Sequence, residues 1–153
     1  MEPPHEQAVR VEELGAADAL RASEAAHLFD DPLDGESLLS FLADERHHLL
    51  LASIGGAPAG MITAVELVHP DKPRPEMFLY ELGVDPGYRR RGVATALLNR
   101  LIELSGARGC GELFVLADET NEAAKATYRR AGGTPERGQI MFTWSGLSAV
   151  DPS

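Results

Sequence analysis

Gly83-Val84-Asp85-Pro86-Gly87-Tyr88-Arg89-Arg90-Arg91-Gly92-Val93-Ala94 is the stretch whose reading decides the fold. An apolar run carrying Met77, Phe78, Leu79, Tyr80, Leu82 and Val84 leads into it and reads as a strand. Asp85-Pro86-Gly87 is a turn, and an amphipathic helix follows the three arginines. A strand, a basic glycine-containing loop and a helix N-terminus together make an anion site. The first helical amides lack internal partners, the helix dipole favours negative charge, and glycine admits a ligand to the backbone. Arg89, Arg90 and Arg91 add charge-assisted donors suited to phosphate. The expected ligand is phosphorylated. A P-loop would need Gly-x-x-x-x-Gly-Lys-Ser/Thr and a dinucleotide site Gly-x-Gly-x-x-Gly, and the chain contains neither.

The remaining chain supplies the elements around this loop. Residues 8–14 read as a strand, 18–29 as a helix stopped by Asp30-Asp31-Pro32, and 35–45 as a second helix with Leu38, Phe41 and Leu42 on one face. Residues 49–54 and 59–67 form a hairpin about Gly55-Gly56-Ala57-Pro58. A loop with Pro70, Pro73 and Pro75 precedes the strand over 76–84. The helix over 91–105 carries Val93, Leu97, Leu101 and Leu104 on one stripe, ended by Gly106 and Gly109. Residues 112–117 read as a short interior strand. Thr120 and Asn121 cap a last helix to Ala131, and 139–144 read as a final strand. The order β-α-α-β-β-β-α-β-α-β predicts an α/β (α+β) domain, a mixed sheet with helices on both faces. One domain over 1–153 is expected, with tails at 1–7 and 146–153.

Composition narrows the function. No stretch of twenty apolar residues suggests a membrane span, and the polar N-terminus is unlike a secretory signal. The single cysteine, Cys110, is expected to be buried in a reducing cytoplasm. A net charge of −10 argues against nucleic acid or an anionic membrane as partner and suits a cationic substrate. His47, His48 and His69 have no metal-ligand spacing, so no metal is expected.

Arg89-x-x-Gly92-x-Ala94 after a strand ending at Val84, with Asn121 and Tyr128 seven residues apart on a later helix, resembles the GNAT superfamily of N-acetyltransferases. The resemblance implies acetyl-CoA as co-substrate and direct attack of an amine on the thioester. By it, Arg89, Arg90, Arg91, Gly92, Val93, Ala94 and Thr95 hold the pyrophosphate. Leu82, Gly83 and Val84 meet the thioester or the pantetheine arm where their strand splays from the next. Asn121, Ala124 and Tyr128 complete the cofactor site, and Tyr128 protonates the departing thiolate. The alternative for Tyr128 is a packed core tyrosine, and for Asn121 a plain helix cap. Glu81, a carboxylate in an apolar strand, is the candidate base, since burial would raise its pKa toward a useful range. The alternative is a solvent-facing glutamate.

The block from Phe78 to Leu97 is similar, more narrowly, to the aminoglycoside 3-N-acetyltransferases of this superfamily. Those enzymes carry an aromatic-apolar-Tyr-Asp-Leu-Ala-Val strand and an Ala-Thr-Ala-Leu helix start. Here Glu81 stands in the aspartate's place, and the segment after Asp118 is less purely acidic. The resemblance implies a polycationic substrate met by Tyr80, Glu81, Asp30, Asp31, Asp34, Asp118 and Glu119, and a homodimer is expected. Another amine (a polyamine, an amino acid or a protein N-terminus) and a non-catalytic acyl-CoA sensor are the alternatives.

Overall fold

The computed structural model describes residues 8–149. Five strands, β1 (Val9–Leu14), β2 (His47–Ile54), β3 (Ala57–Leu67), β4 (Glu76–Val84) and β5 (Glu112–Val115), lie in one sheet in sequence order. The first four pair antiparallel and β5 pairs parallel to β4. Helices α1 (Ala19–Glu24) and α2 (Gly35–Ala43) follow β1, α3 (Val93–Ala107) joins β4 to β5, and α4 (Glu122–Arg130) follows β5. The mixed sheet with helices on both faces agrees with the sequence reading. The expected tail at 1–7 lies outside the described residues, as does the end of the expected C-terminal tail. Among the described residues no helix is long and apolar enough to cross a membrane.

Local chemistry explains the elements. Gly55 and Gly56 both take positive φ, 58° and 83°, and join β2 to β3 in a two-residue turn. Asp34 caps α2 by accepting from the Ser37 amide at 2.9 Å, and Asn121 caps α4 by accepting from the Ala124 amide at 3.1 Å. The two faces of the sheet carry separate cores. Leu14, Leu49, Leu51 and Met61 pack with Ala22, Ala25 and Leu42 of the first helices. Leu50, Ile62, Met77 and Leu79 pack with Val93, Leu97, Leu98 and Leu101 of α3, and Tyr128 and Ala131 join them.

One contact sets the position of α3. A Cβ on Gly60 would lie 2.6 Å from Val93 Cγ1, 3.0 Å from the Gly83 carbonyl and 3.2 Å from Leu97 Cδ1. Glycine there lets the helix N-terminus sit directly on β3, beside the end of β4. Replacing Gly60 by alanine is expected to cost about 2 kcal/mol through overpacking and to lower Tm by roughly 5 °C. Thermal unfolding followed by circular dichroism checks this, and an unchanged Tm would show that α3 yields freely.

Two features of β4 shape the site. The register with β3 slips between Thr63 and Ala64, which face Glu81 and Leu79, so Tyr80 is the extra residue of a β-bulge. Met77 and Leu79 point into the α3 core, and so do Leu82 and Val84. Alternation with an even step cannot join Leu79 to Leu82, and the bulge makes up the difference. The second feature is a splay. Pairing with β5 ends at Leu79 opposite Val115, while β4 continues to Val84.

The far end of the sheet is held by a polar network. His48, 3 % exposed, meets Glu13 at 2.8 Å through Nδ1 and Glu66 at 2.7 Å through Nε2, and Arg108 donates to Glu66 at 2.9 Å. This histidine is structural. Among the described residues no three His, Cys, Asp or Glu side chains gather as metal ligands. Cys110 is buried, and burial pushes its thiol pKa up, which makes it a poor nucleophile.

Two expected elements differ. The helix expected over 18–29 stops at Glu24 and passes into a 3-10 turn, Ala26–Leu28. The turn presses on β4: a Cβ on Gly83 would meet the Leu28 carbonyl at 2.8 Å. His27 Nε2 lies 3.2 Å from Asp85 Oδ2. The strand expected over 139–144 does not form, and the segment has no ladder partner. Apolar alternation creates strand propensity, but a strand exists only through its neighbour.

Candidate active site

The loop between β4 and α3 builds an anion cradle from its own backbone. Asp85 accepts from the Gly87 amide at 2.8 Å and closes a 3-10 turn, Pro86–Tyr88. Arg90 and Gly92 then take positive φ, 62° and 78°. Such residues turn successive amides toward one concavity, and strain of this kind collects at ligand sites. No side chain caps α3, so the amides of its first turn are left for a ligand. A Cβ at Gly92 would meet nothing within 4 Å, which marks open space in front of the loop. Arg89, Arg90 and Arg91 are all exposed, and the Arg91 guanidinium lies 5.4 Å from the Tyr88 ring centroid. The residues present fit a diphosphate.

The splay of β4 from β5 continues that cradle. From Tyr80 to Val84 the side of β4 that faced β5 has no strand partner, which leaves backbone groups of Leu82, Gly83 and Val84 free for an extended polar arm. The half-buried Ala124, Thr127 and Tyr128 form the inner side of α4, and Tyr128 packs against the same core as Leu82, Val84 and Val115. Tyr128 is packed against the α3 core, and burial raises its phenol pKa above the ordinary value near 10. It is therefore protonated at neutral pH, the state a proton donor needs. The core reading of Tyr128 holds, since its ring packs against the α3 core. Asn121 spends its side-chain oxygen on the α4 cap.

The bulge at Tyr80 turns Glu81 away from the α3 core, toward the loop after the first helices. Burial raises the Glu81 pKa, and the negative charges of Asp30 and Asp31 raise it further. Tyr80 lies beside it, 68 % exposed. Asp30 and Asp31 are thus near enough for their charge to be felt at Glu81, next in the chain to the exposed Tyr80. The other acids of the sequence reading are occupied locally. Asp34 accepts from the amide and the hydroxyl of Ser37, which lowers its pKa. Asp118 accepts from the amide and the hydroxyl of Thr120 with the same result, and Glu119 meets Arg137 at 3.4 Å. They are turn and cap carboxylates, as short polar side chains beside free amides tend to be.

His27 and Asp85 were not singled out by the sequence, since neither belongs to a spacing pattern. Gly60 carried a signal, a glycine inside an apolar strand, which marks a close backbone approach.

A raised Glu81 pKa has a consequence for stability. The folded protein holds this proton more tightly than the unfolded chain does. Stability is therefore lost as pH rises from the unfolded carboxylate value through the folded one. Glu81→Gln is expected to raise Tm at pH 7–8 and to leave it unchanged near pH 4, as pH-resolved thermal melts would show. A lowered Tm at pH 7 would mean that the charged carboxylate is stabilised in the fold.

The comparisons agree with this geometry. Residues 15–133 match the Acetyltransferase (GNAT) family. The N-alpha-acetyltransferase RimI of Mycobacterium tuberculosis is 35 % identical over 127 residues, covering 81 % of this chain and 77 % of that protein. An aminoglycoside acetyltransferase from an uncultured soil metagenomic sample, solved with sisomicin, superposes with a TM-score of 0.83 at 22 % identity. The match covers 90 % of this chain and 95 % of that one. A second aminoglycoside acetyltransferase from an uncultured soil metagenomic sample has a TM-score of 0.77 at 28 % identity, over 90 % and 99 % of the two chains. The anion cradle, the splayed strands and the family match lead to one conclusion: this chain belongs to the GNAT family of acetyltransferases.

Proposed function

We propose that the protein acetylates an amine of a polycationic small molecule, an aminoglycoside, with its 3-amino group as the acceptor. The observation that carries this reading is the gathering of Asp30 and Asp31 on Glu81 at the mouth of the splay. The charges of Asp30 and Asp31 make ionisation of Glu81 costly, and a cation would offset that cost, so the three acids suit a substrate with several ammonium groups. Each charge-assisted hydrogen bond to such a substrate contributes about 1.5–3 kcal/mol. The net charge of −10 speeds its approach.

Acetyl-CoA supplies the activated acetyl group, with the diphosphate on Arg89 to Thr95 and the arm along Leu82, Gly83 and Val84. Glu81 takes the proton from the substrate ammonium and leaves a neutral amine. The amine nitrogen bonds to the acetyl carbon as the carbon–sulfur bond breaks, Tyr128 gives its phenol proton to the departing thiolate, and the second proton shed by the acetylated nitrogen restores the Tyr128 phenol. Asn121 and Ala124 line the α4 side. In Glu81→Gln the acidic limb of the pH–rate profile flattens, because the group that must lose a proton is gone.

The second reading is a protein or peptide α-amine, favoured by the 35 % identity to a protein named as an N-alpha-acetyltransferase. Thiol release by the purified protein across sisomicin, gentamicin, spermine, amino acids and short peptides separates the two. The expected result is turnover with the aminoglycosides. Turnover with peptides alone overturns the small-molecule reading, and acetyl-CoA binding with no turnover of any amine overturns the enzyme reading.

A further inference from the structure

Thr63 of β3 is 8 % exposed, and its Oγ1 is buried with no hydrogen-bond partner among the described residues. Such groups are rare in folded proteins, because a buried hydroxyl without a partner has given up water and gained nothing. Valine has the same shape, suits a strand as well and carries no such penalty. The ladder gives this hydroxyl a definite setting. Thr63 faces Leu49 of β2 on one side and Glu81 of β4 on the other. Residues directly opposite in an antiparallel pair share a face, with Cβ atoms about 4.5–5.5 Å apart. That face is the one turned from α3, since Leu49 and Met61 pack there with the first helices. The β-bulge is what makes the pair. Continued without a slip, the register of Ala64 with Leu79 would set Tyr80 opposite Thr63, and the extra residue sets Glu81 there instead.

We propose that Thr63 is the positioning residue of Glu81: its hydroxyl donates a hydrogen bond to the ionised carboxylate, which engages one carboxylate oxygen and leaves the other for the substrate ammonium. This deepens the reading of Glu81 as the base and rests on it. A carboxylate accepts through both oxygens, and a hydroxyl donates most strongly to an acceptor that is charged. The bond therefore favours the form of Glu81 that takes a proton. The other groups near Glu81 act differently. Asp30 and Asp31, in the loop before α2, oppose its ionisation, as burial does. His27 of the 3-10 turn is engaged with Asp85. His47, on the same face of β2 two residues before Leu49, stacks its ring on Phe41. Thr63 is the donor that β3 sets against the carboxyl, and without it burial and two like charges act unopposed.

Thr63→Val keeps the shape and removes the donor, and Thr63→Ser keeps the donor. Isotope labelling of the glutamate carboxyls follows ionisation by NMR in the free protein, with the Glu81 signal assigned by its loss in Glu81→Gln. The Glu81 midpoint in Thr63→Val is expected about one pH unit above wild type, since a hydrogen bond to a charged group is of that size. Thr63→Ser should stay near wild type. The acidic limb of the kcat/KM profile, measured with the amine that the panel shows to be turned over, should move upward with the Glu81 midpoint. KM for acetyl-CoA should be unchanged, which a general loss of structure would not spare. A Glu81 midpoint that stays in place in Thr63→Val overturns the inference, whatever amine is acetylated. So does a Thr63→Ser variant that behaves as Thr63→Val, because shape rather than the hydroxyl would then set the midpoint. A midpoint that moves while the acidic limb stays fixed supports the pair and removes Glu81 as the base, so the two readings fail separately.

Discussion

Tyr128→Phe is expected to lower kcat about a hundredfold, the scale of one positioned proton donor, while the affinity for acetyl-CoA stays within about twofold of wild type. The ring of Tyr128 packs against the α3 core and would do so equally well without its hydroxyl. Burial keeps the phenol protonated, so the variant removes a proton and little else. A thiolate that departs without that proton leaves more slowly, and the loss falls on turnover rather than binding. Steady-state kinetics beside calorimetric binding of acetyl-CoA makes the distinction. Wild-type turnover in Tyr128→Phe would remove the proton-donor assignment, and a parallel loss of binding would return Tyr128 to a purely structural role.

The second large effect is expected at the cradle. Gly92→Asp should raise KM for acetyl-CoA between about tenfold and a hundredfold, since charged contacts of this kind are each worth about 1.5–3 kcal/mol. Gly92 sits at φ 78° with open space before it, so an aspartate meets no atom there, and Gly92→Asn, which bears the same backbone strain without the charge, isolates the electrostatic effect. The aspartate side chain would instead place negative charge at the helix N-terminus proposed to hold the cofactor's diphosphate. High salt should recover part of the loss, because screening weakens repulsion between exposed charges. Titration with CoA at two ionic strengths tests the point. Unaltered affinity in Gly92→Asp would put the diphosphate elsewhere.

Much of this was legible from residue order. The arginine–glycine loop, the helix that follows it and the strand that precedes it are local, and each is set by neighbours in the chain. The cradle therefore has the character its residue types require. Asp34 and Asp118 show what residue type alone leaves open. Both were expected to face a cationic substrate, yet each serves an amide and a hydroxyl two or three residues away. Short carboxylates satisfy nearby backbone first, and composition does not reveal which have done so. The apolar run over 139–144 is a related case, since its pattern is that of a strand and the described chain provides it no partner.

By itself, the sequence determined the anion cradle of this protein. Arg89, Gly92 and the uncapped start of α3 follow one another along the chain, and their chemistry needs no distant contact. The orientation of Glu81 was decided only by the tertiary structure. Strict alternation from Met77 and Leu79 sends Glu81 into the α3 core. The bulge that adds Tyr80 opposite β3 instead turns Glu81 outward, toward Asp30 and Asp31. A period of two has no way to count an extra residue, so only the pairing of β4 with β3 placed the carboxylate at the mouth of the cleft.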